Sequence, residues 1–416
     1  MLKSSLMLQS TTNPALKVIS GGTVTSPCGF LGGAVHAGLK TRDKNTLDLG
    51  ILCSPLPCPA AGVFTSNRIK AAPIALCQKC LSRKCAQAVV VNSGCANACT
   101  GEQGQADAAE MVHLAAQRLG ISPEDVLVAS TGVIGTPLPM KLIRSGIDNI
   151  TLSRHGGHEL AWAITTTDTF TKEIAVTLRL EESEITLGGV AKGAGMIHPE
   201  LATLLCFLTT DAKVDPDLLQ QALQKAIDIS FNMVSIDGDT SPNDTVLLLA
   251  NGLAHNEAIH SGSRSGEKFE QALIEVCLSL AKQIARDGEG ATKLIEVTVE
   301  GALTWGDARV AARSIAASSL VKAAVHGSDP NWGRVISALG QSKAEIDPSR
   351  IDLYLGELCL FSGGHPLLFD KAKAILILSQ DEVPIKLCLN LGPEKATAWG
   401  CDLSEEYVTI NSTYTT

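Results

Sequence analysis

The sequence predicts a mixed α/β fold, and three observations carry that reading. Short apolar runs alternate with stretches of helical periodicity along the 416 residues. Several of the runs follow one another with only turn residues between them, so adjacent strands are expected as well as strand–helix units. With 37 glycines and 4% aromatic residues, the core has to be built from Ala, Val, Ile and Leu around many special turns.

Taken in order, residues 51–53, 62–64 and 88–92 read as strands bounded by Gly, Pro and Ser. Residues 106–119 read as a helix, with apolar Ala109, Met111, Val112, Leu114 and Ala115. Pro123, Glu124 and Asp125 form a helical first turn that Ser122 is placed to cap. A strand over 126–129 ends in Ser130-Thr131-Gly132-Val133-Ile134-Gly135. Residues 174–180 and 185–190 form a pair of strands leading into Lys192-Gly193-Ala194-Gly195-Met196-Ile197-His198-Pro199, and the apolar run 204–208 follows. Residues 216–231 form a helix whose apolar face is Leu218, Leu219, Ala222, Leu223, Ala226 and Ile227. A second long helix over 268–287 ends in glycines, which places a domain boundary between 1–286 and 287–416. Beyond it, 292–300 alternates as a strand, 307–324 is helical and 351–391 is strand-rich.

A net charge of −9, with 45% hydrophobic and 19% charged residues, excludes a disordered chain and argues against nucleic acid or an anionic membrane as the main partner. No apolar run approaches the roughly 18 residues of a membrane span. The N-terminal apolar stretch is too short for a signal peptide, and arginine is absent before Arg42, against an organellar presequence. A cytoplasmic protein is expected. Seven of the 13 cysteines lie between Cys53 and Cys99, but Cys77/Cys80 and Cys95/Cys99 do not repeat a zinc spacing. Reduced thiols and no metal are expected.

Several familiar sites fail on their own residues. Gly188 and Gly193 open a phosphate loop that continues with Ala194 and Gly195 instead of Lys and Ser or Thr. Asp237-Gly238-Asp239 starts like a calcium loop, but Pro242 stands at the turn glycine and Leu248 at the bidentate Glu. His155 and His158 have no acidic or thiol neighbour in sequence and read as solvated.

Residues 192–211 combine a glycine loop, a proline-bounded turn and a buried strand beginning at Thr203. This stretch resembles the self-cleavage signature of the ornithine acetyltransferase family, the bifunctional glutamate N-acetyltransferases of arginine biosynthesis, with Leu201 where Met is usual. The resemblance extends to Asn92–Gly101 (Cys95 where Asn is usual), Ser130–Gly135, Thr166–Thr169, Asp237–Thr245 (with the unusual Pro242), Asp287–Lys293, Gly327–Arg334 and Tyr407–Thr416. It runs collinearly from about residue 20 to the end.

The resemblance implies a layered α/β/β/α sandwich of the β-aminopeptidase type with smaller C-terminal α+β units. It implies self-cleavage between Ala202 and Thr203, leaving an α chain of 1–202 and a β chain of 203–416 in an α2β2 assembly. Gly193 and Gly195 would permit the strained backbone that this step requires. The freed α-amino group, with a reference pKa of about 7.7–8.0, then suits the role of base for the Thr203 hydroxyl. That hydroxyl would take the acetyl group of N2-acetylornithine and pass it to glutamate by a ping-pong route. Thr131 and the Gly132 N–H match oxyanion donors. Thr166, Lys192, Glu289, Asn411 and Thr416 match substrate-holding positions, with Glu289 suited to the ornithine side chain and the tail folding back into the site. No cofactor is implied. Acetyl-CoA serves some members as a further donor, and no residue here separates the two types. His198 reads as a turn histidine bonded to backbone, and Asp329 and Trp332 as structural. The rival readings are a threonine amidohydrolase or aminopeptidase on the same scaffold, with water as acceptor, and a non-enzymic amino-acid-binding descendant.

Overall fold

The computed structural model describes residues 16–43, 45–181, 183–198 and 204–413. It is a mixed α/β structure with two sheets. In chain order the strands are β1 (Leu16–Val18), β2 (Leu31–Val35), β3 (Leu49–Phe64), β4 (Cys85–Cys95), β5 (Val126–Val133), β6 (Lys172–Arg179), β7 (Glu184–Lys192), β8 (Leu205–Thr210), β9 (Val234–Ser235), β10 (Thr245–Ala250), β11 (Leu294–Ala302), β12 (Asp352–Leu355), β13 (Leu358–Ser362), β14 (His365–Pro366), β15 (Glu382–Cys388) and β16 (Glu394–Cys401). The first sheet runs β1-β6-β7-β8-β10-β3-β4-β5, with β2 also on β3; the second runs β14-β13-β12-β15-β11-β16-β9.

The expected strands 51–53 and 62–64 are the two ends of one strand, β3. Its first half pairs with β2 and β4, its last residues with β10, and the ladder with β4 shifts register between Cys53 and Cys58. Pro55 and Pro57 fall in that gap, where a missing N–H costs no ladder bond. The strand thus passes from one half-sheet to the other, and the halves pack face to face. Alternate residues divide between two cores. Cys206, Leu208, Val246 and Leu248 pack with the helices Pro216–Ile229 and Arg264–Arg286. Leu205, Phe207, Leu247 and Leu249 belong to a second cluster with Leu49, Ile51, Val89 and Val91. That cluster also takes Cys77, Met111, Ile143 and Ile147 from the helices Ala72–Leu81, Gly101–Leu119 and Met140–Asn149. The order of layers is therefore α/β/β/α.

Other expectations need correction. The helix read over 307–324 is two, Trp305–Ala317 and Ser319–His326. Ser318 takes extended ψ and accepts from Val321 N–H, so its side chain starts a new helix instead of continuing the old one. Ser122 makes no side-chain cap on Pro123–Asp125. Within the strand-rich region, Lys371–Leu378 is a helix because Asp370 accepts from Ala372 and Lys373 N–H. His158 is not simply solvated: it lies on the helix Gly157–Ala163 with Nδ1 2.9 Å from Glu173 Oε2. All 13 cysteines are free of disulfides. Among the described residues no helix is long and apolar enough to cross a membrane.

Candidate active site

The site forms where β7, β8 and β10 begin or end beside the ends of β4 and β5. Lys192 closes β7 opposite Leu205 of β8, and Leu205 pairs with Thr245 of β10. Leu204 is gripped from both sides: its N–H donates to Asp244 Oδ1 at 2.9 Å, and its carbonyl accepts from Thr245 N–H at 3.0 Å. Across the sandwich, Asn243 Nδ2 donates to Ala96 O (2.6 Å) and Ser130 O (2.9 Å), tying this edge to the strands that carry Thr131 and Gly132.

One cavity of about 70 Å³ is lined by Thr131, Gly132, Thr166, Lys192, Glu289 and Asn411 among others. These six residues come from five separate stretches of chain, and all six were expected at the site. Ala202, Thr203, Thr416 and the Leu201 departure lie outside the described residues. Ile134, Met196 and Asn411 also line a wider cavity of about 350 Å³, together with Cys99, Asp237, Asp239 and Tyr407 among others. A larger cavity of about 550 Å³ beside Asp287 and Arg286 contains none of the expected residues. The gathering of the expected residues singles out the smaller one.

Gly132 sits at φ +126°, and a Cβ there would collide with the Gly94 backbone and come 2.6 Å from Cys95 N. Gly132→Ala is expected to destabilise the protein by more than about 1 kcal/mol, read as a lowered midpoint of thermal unfolding. Gly195 has a different reason from the expected one. It has an ordinary φ, and its missing Cβ leaves room for the Glu289 carboxylate. Two described residues of this loop have positive φ, Gly193 at +155° and Met196 at +55°, the latter stapled by its N–H to Asp237 Oδ2 at 2.6 Å. Glu289 is fixed by its N–H to Ala194 O (2.8 Å) and by Asn411 Nδ2 to its Oε2 (2.7 Å). Thr166 and Thr167 line the cavity, whereas the Thr165 hydroxyl is spent on Trp162 O. His198 Nδ1 lies 3.2 Å from the Ser235 hydroxyl and does not line the cavity.

The electrostatics rest on a buried cluster that sequence reasoning missed. Lys172, with no side-chain exposure, places Nζ 2.6 Å from both Asp168 Oδ1 and Asp287 Oδ2. Asp168 also accepts from Thr166 N–H (2.9 Å) and Gly193 N–H (2.7 Å). Burial opposes its charge, but the Lys172 and Lys192 ammonium groups outweigh that and hold its carboxyl below the usual range. Lys192, 1% exposed, is pushed down by burial against the opposing pull of Asp168, Asp244 and Glu289. The one legible signal for the cluster was the Asp168/Lys172 spacing of four. Asp287 is 115 residues from Lys172 and had none. Chemically, a cation at Lys192 and an anion at Glu289 on one cavity suit a zwitterionic ligand such as an amino acid.

The family model described as the ArgJ family matches residues 32–416. The arginine biosynthesis bifunctional protein ArgJ of Dehalococcoides mccartyi is 52% identical over 402 residues, covering 97% of this chain and 99% of that protein. Its counterpart in Symbiobacterium thermophilum is 54% identical, covering 95% and 99%. Among solved structures, ArgJ of Bacillus halodurans is 44% identical with a TM-score of 0.48, covering 50% of this chain and 97% of that one. The ornithine acetyltransferase of Mycobacterium tuberculosis complexed with ornithine is 36% identical with a TM-score of 0.41, covering 46% and 100%.

Proposed function

Because the chain belongs to the ArgJ family, we propose that it is an acetyltransferase of arginine biosynthesis that moves the acetyl group of N2-acetylornithine to glutamate. Thr203 is the nucleophile, freed by self-cleavage after Ala202. The acetyl ester on Thr203 is the intermediate, and the Thr203 α-amine is the base. Thr131 and the Gly132 N–H receive the oxyanion of each tetrahedral intermediate. Lys192 and Thr166 hold the substrate carboxylate, Glu289 faces the ornithine ammonium, and Asn411 orients Glu289. The two chains stay together as α2β2 in the cytoplasm, with acetyl-CoA as a second candidate donor and no bound cofactor.

The observation that carries this reading is the gathering of six expected residues from five chain segments around one cavity next to Leu204. Lys192 and Glu289 on the same cavity also favour an amino acid over water as acceptor. The test is an assay of N2-acetylornithine with glutamate, followed by product identification. Ornithine and N-acetylglutamate are expected in equal amounts. Acetate in place of N-acetylglutamate would instead establish the hydrolase. Thr131→Val, which keeps the shape and removes the hydroxyl, is expected to lower kcat about 100- to 1000-fold with KM little changed. The same variant with unchanged kcat would remove Thr131 from the oxyanion role.

A further inference from the structure

Ala163 joins the two walls of the site. It is the last residue of the helix Gly157–Ala163 and stands three positions before Thr166. Its carbonyl accepts from the Ser93 hydroxyl of β4 and, at 3.3 Å, from Lys40 Nζ. Carbonyls at a helix C-terminus have no partner within the helix, so these two donors fix where the chain leaves it. On the far side of the departing segment, Asp168 Oδ2 accepts from Thr166 N–H at 2.9 Å. Thr166 is thus suspended between two anchors, with its hydroxyl 3.5 Å from Lys192 Nζ.

Lys40 is itself firmly set. The wholly buried Asp48 carboxylate accepts from the N–H groups of Ala37, Gly38, Leu39 and Lys40, at 2.7, 3.0, 2.6 and 3.3 Å. The Lys40 ammonium also donates to Leu47 O at 3.0 Å. Gly94 lets this turn come close to β4, since a Cβ there would lie 2.8 Å from the Leu39 carbonyl. Gly94 is also the residue against which Gly132 packs. Lys40 does not line the cavity, so any effect on the substrate passes through Ala163.

We propose that Lys40 is a positioning residue: its ammonium, bonded to Ala163 O, sets Thr166 where the threonine hydroxyl meets Lys192 and the substrate carboxylate. The inference rests on the proposed substrate-holding role of Thr166. The charged groups that face Lys40 are Asp48 just ahead of β3, Asp168 just ahead of β6 and Lys192 at the end of β7. Burial lowers the Lys40 pKa to about 8 against the pull of Asp48 and Asp168, and Lys192 adds to the lowering. Below that pH the ammonium is a charge-assisted donor to Ala163 O; above it the neutral amine holds the carbonyl more weakly.

In the wild-type enzyme, kcat/KM for N2-acetylornithine is expected to fall on the alkaline side with a midpoint near 8. In Lys40→Arg, whose guanidinium keeps its proton, that limb is expected to move up by about one pH unit or more. Lys40→Met is expected to raise KM for N2-acetylornithine about 10-fold, the loss of one charge-assisted hydrogen bond, with kcat little changed. Thr166→Val is expected to raise the same KM. Thr166→Val with unchanged KM contradicts the proposed role of Thr166 itself. Where Thr166→Val does raise KM, an alkaline limb that stays in place in Lys40→Arg overturns the role of Lys40 alone. So does a Lys40→Met enzyme that loses kcat or folded yield at unchanged KM, which is the mark of a structural lysine. Lys40→Arg keeps the cation, so its pH profile decides the matter even where Lys40→Met does not fold.

Discussion

Thr203→Ala is expected to yield one uncut chain of 43.5 kDa with no measurable acetyl transfer. The substitution keeps the backbone that Asp244 and Thr245 grip at Leu204, so the local fold should survive. In the proposed scheme it removes the hydroxyl that both reactions require, and without cleavage the proposed catalytic amine never appears. The loss in turnover should approach that seen on removing a hydrolase nucleophile, on the order of 10⁶-fold. Thr203→Ser keeps a hydroxyl and should still cut. Intact-protein mass spectrometry reads both outcomes directly. A Thr203→Ala protein that is still cleaved after residue 202 would assign the cut to another group or to a protease.

Lys172→Met is expected to have the largest effect on stability. It leaves Asp168 and Asp287, whose side chains are 0% and 2% exposed, without their shared cation. Removing one partner of a buried pair typically costs about 3–5 kcal/mol, because the remaining charge is uncompensated. The loss would show as a lower denaturant midpoint. The same cluster should make the wild type acid-sensitive. The folded-state pKa of Asp168 is depressed, so its contribution is fully present above the unfolded aspartate value of about 3.9 and is lost as pH falls through the folded value. Lys172→Met should lack that contribution and show a flatter dependence of stability on acid pH. Unchanged stability in Lys172→Met would mean that the cluster does not hold the site. Because Asp168 also carries the N–H groups of Thr166 and Gly193, activity should fall with stability.

Local features were legible in the sequence where their cause is local. The strands β6 and β7 read as a pair because both are apolar and separated only by a turn. The helix Pro216–Ile229 read clearly because its apolar face is continuous, and the structure adds a cap from Asp215. The site residues were legible only as motifs, since nothing local says that Thr131, Lys192 and Glu289 meet. What escaped has non-local causes. The prolines of β3 look like an ending, yet they mark the gap where one strand crosses between half-sheets. Nothing local marks Asn243, whose amide bridges Ala96 and Ser130 across the sandwich. Gly195 was expected to permit a strained backbone, whereas its missing Cβ admits the side chain of Glu289, 94 positions further along the sequence.

The most direct test of the central claim is the mass of the intact chains after brief incubation with N2-acetylornithine and no glutamate. The chain beginning at Thr203 should gain about 42 Da, one acetyl group held as an ester, and glutamate should remove it with formation of N-acetylglutamate. The chain ending at Ala202 should not change. An enzyme that transfers acetyl groups at full rate while its Thr203 chain stays unmodified under rapid quench, or gains the acetyl group elsewhere, would contradict the account.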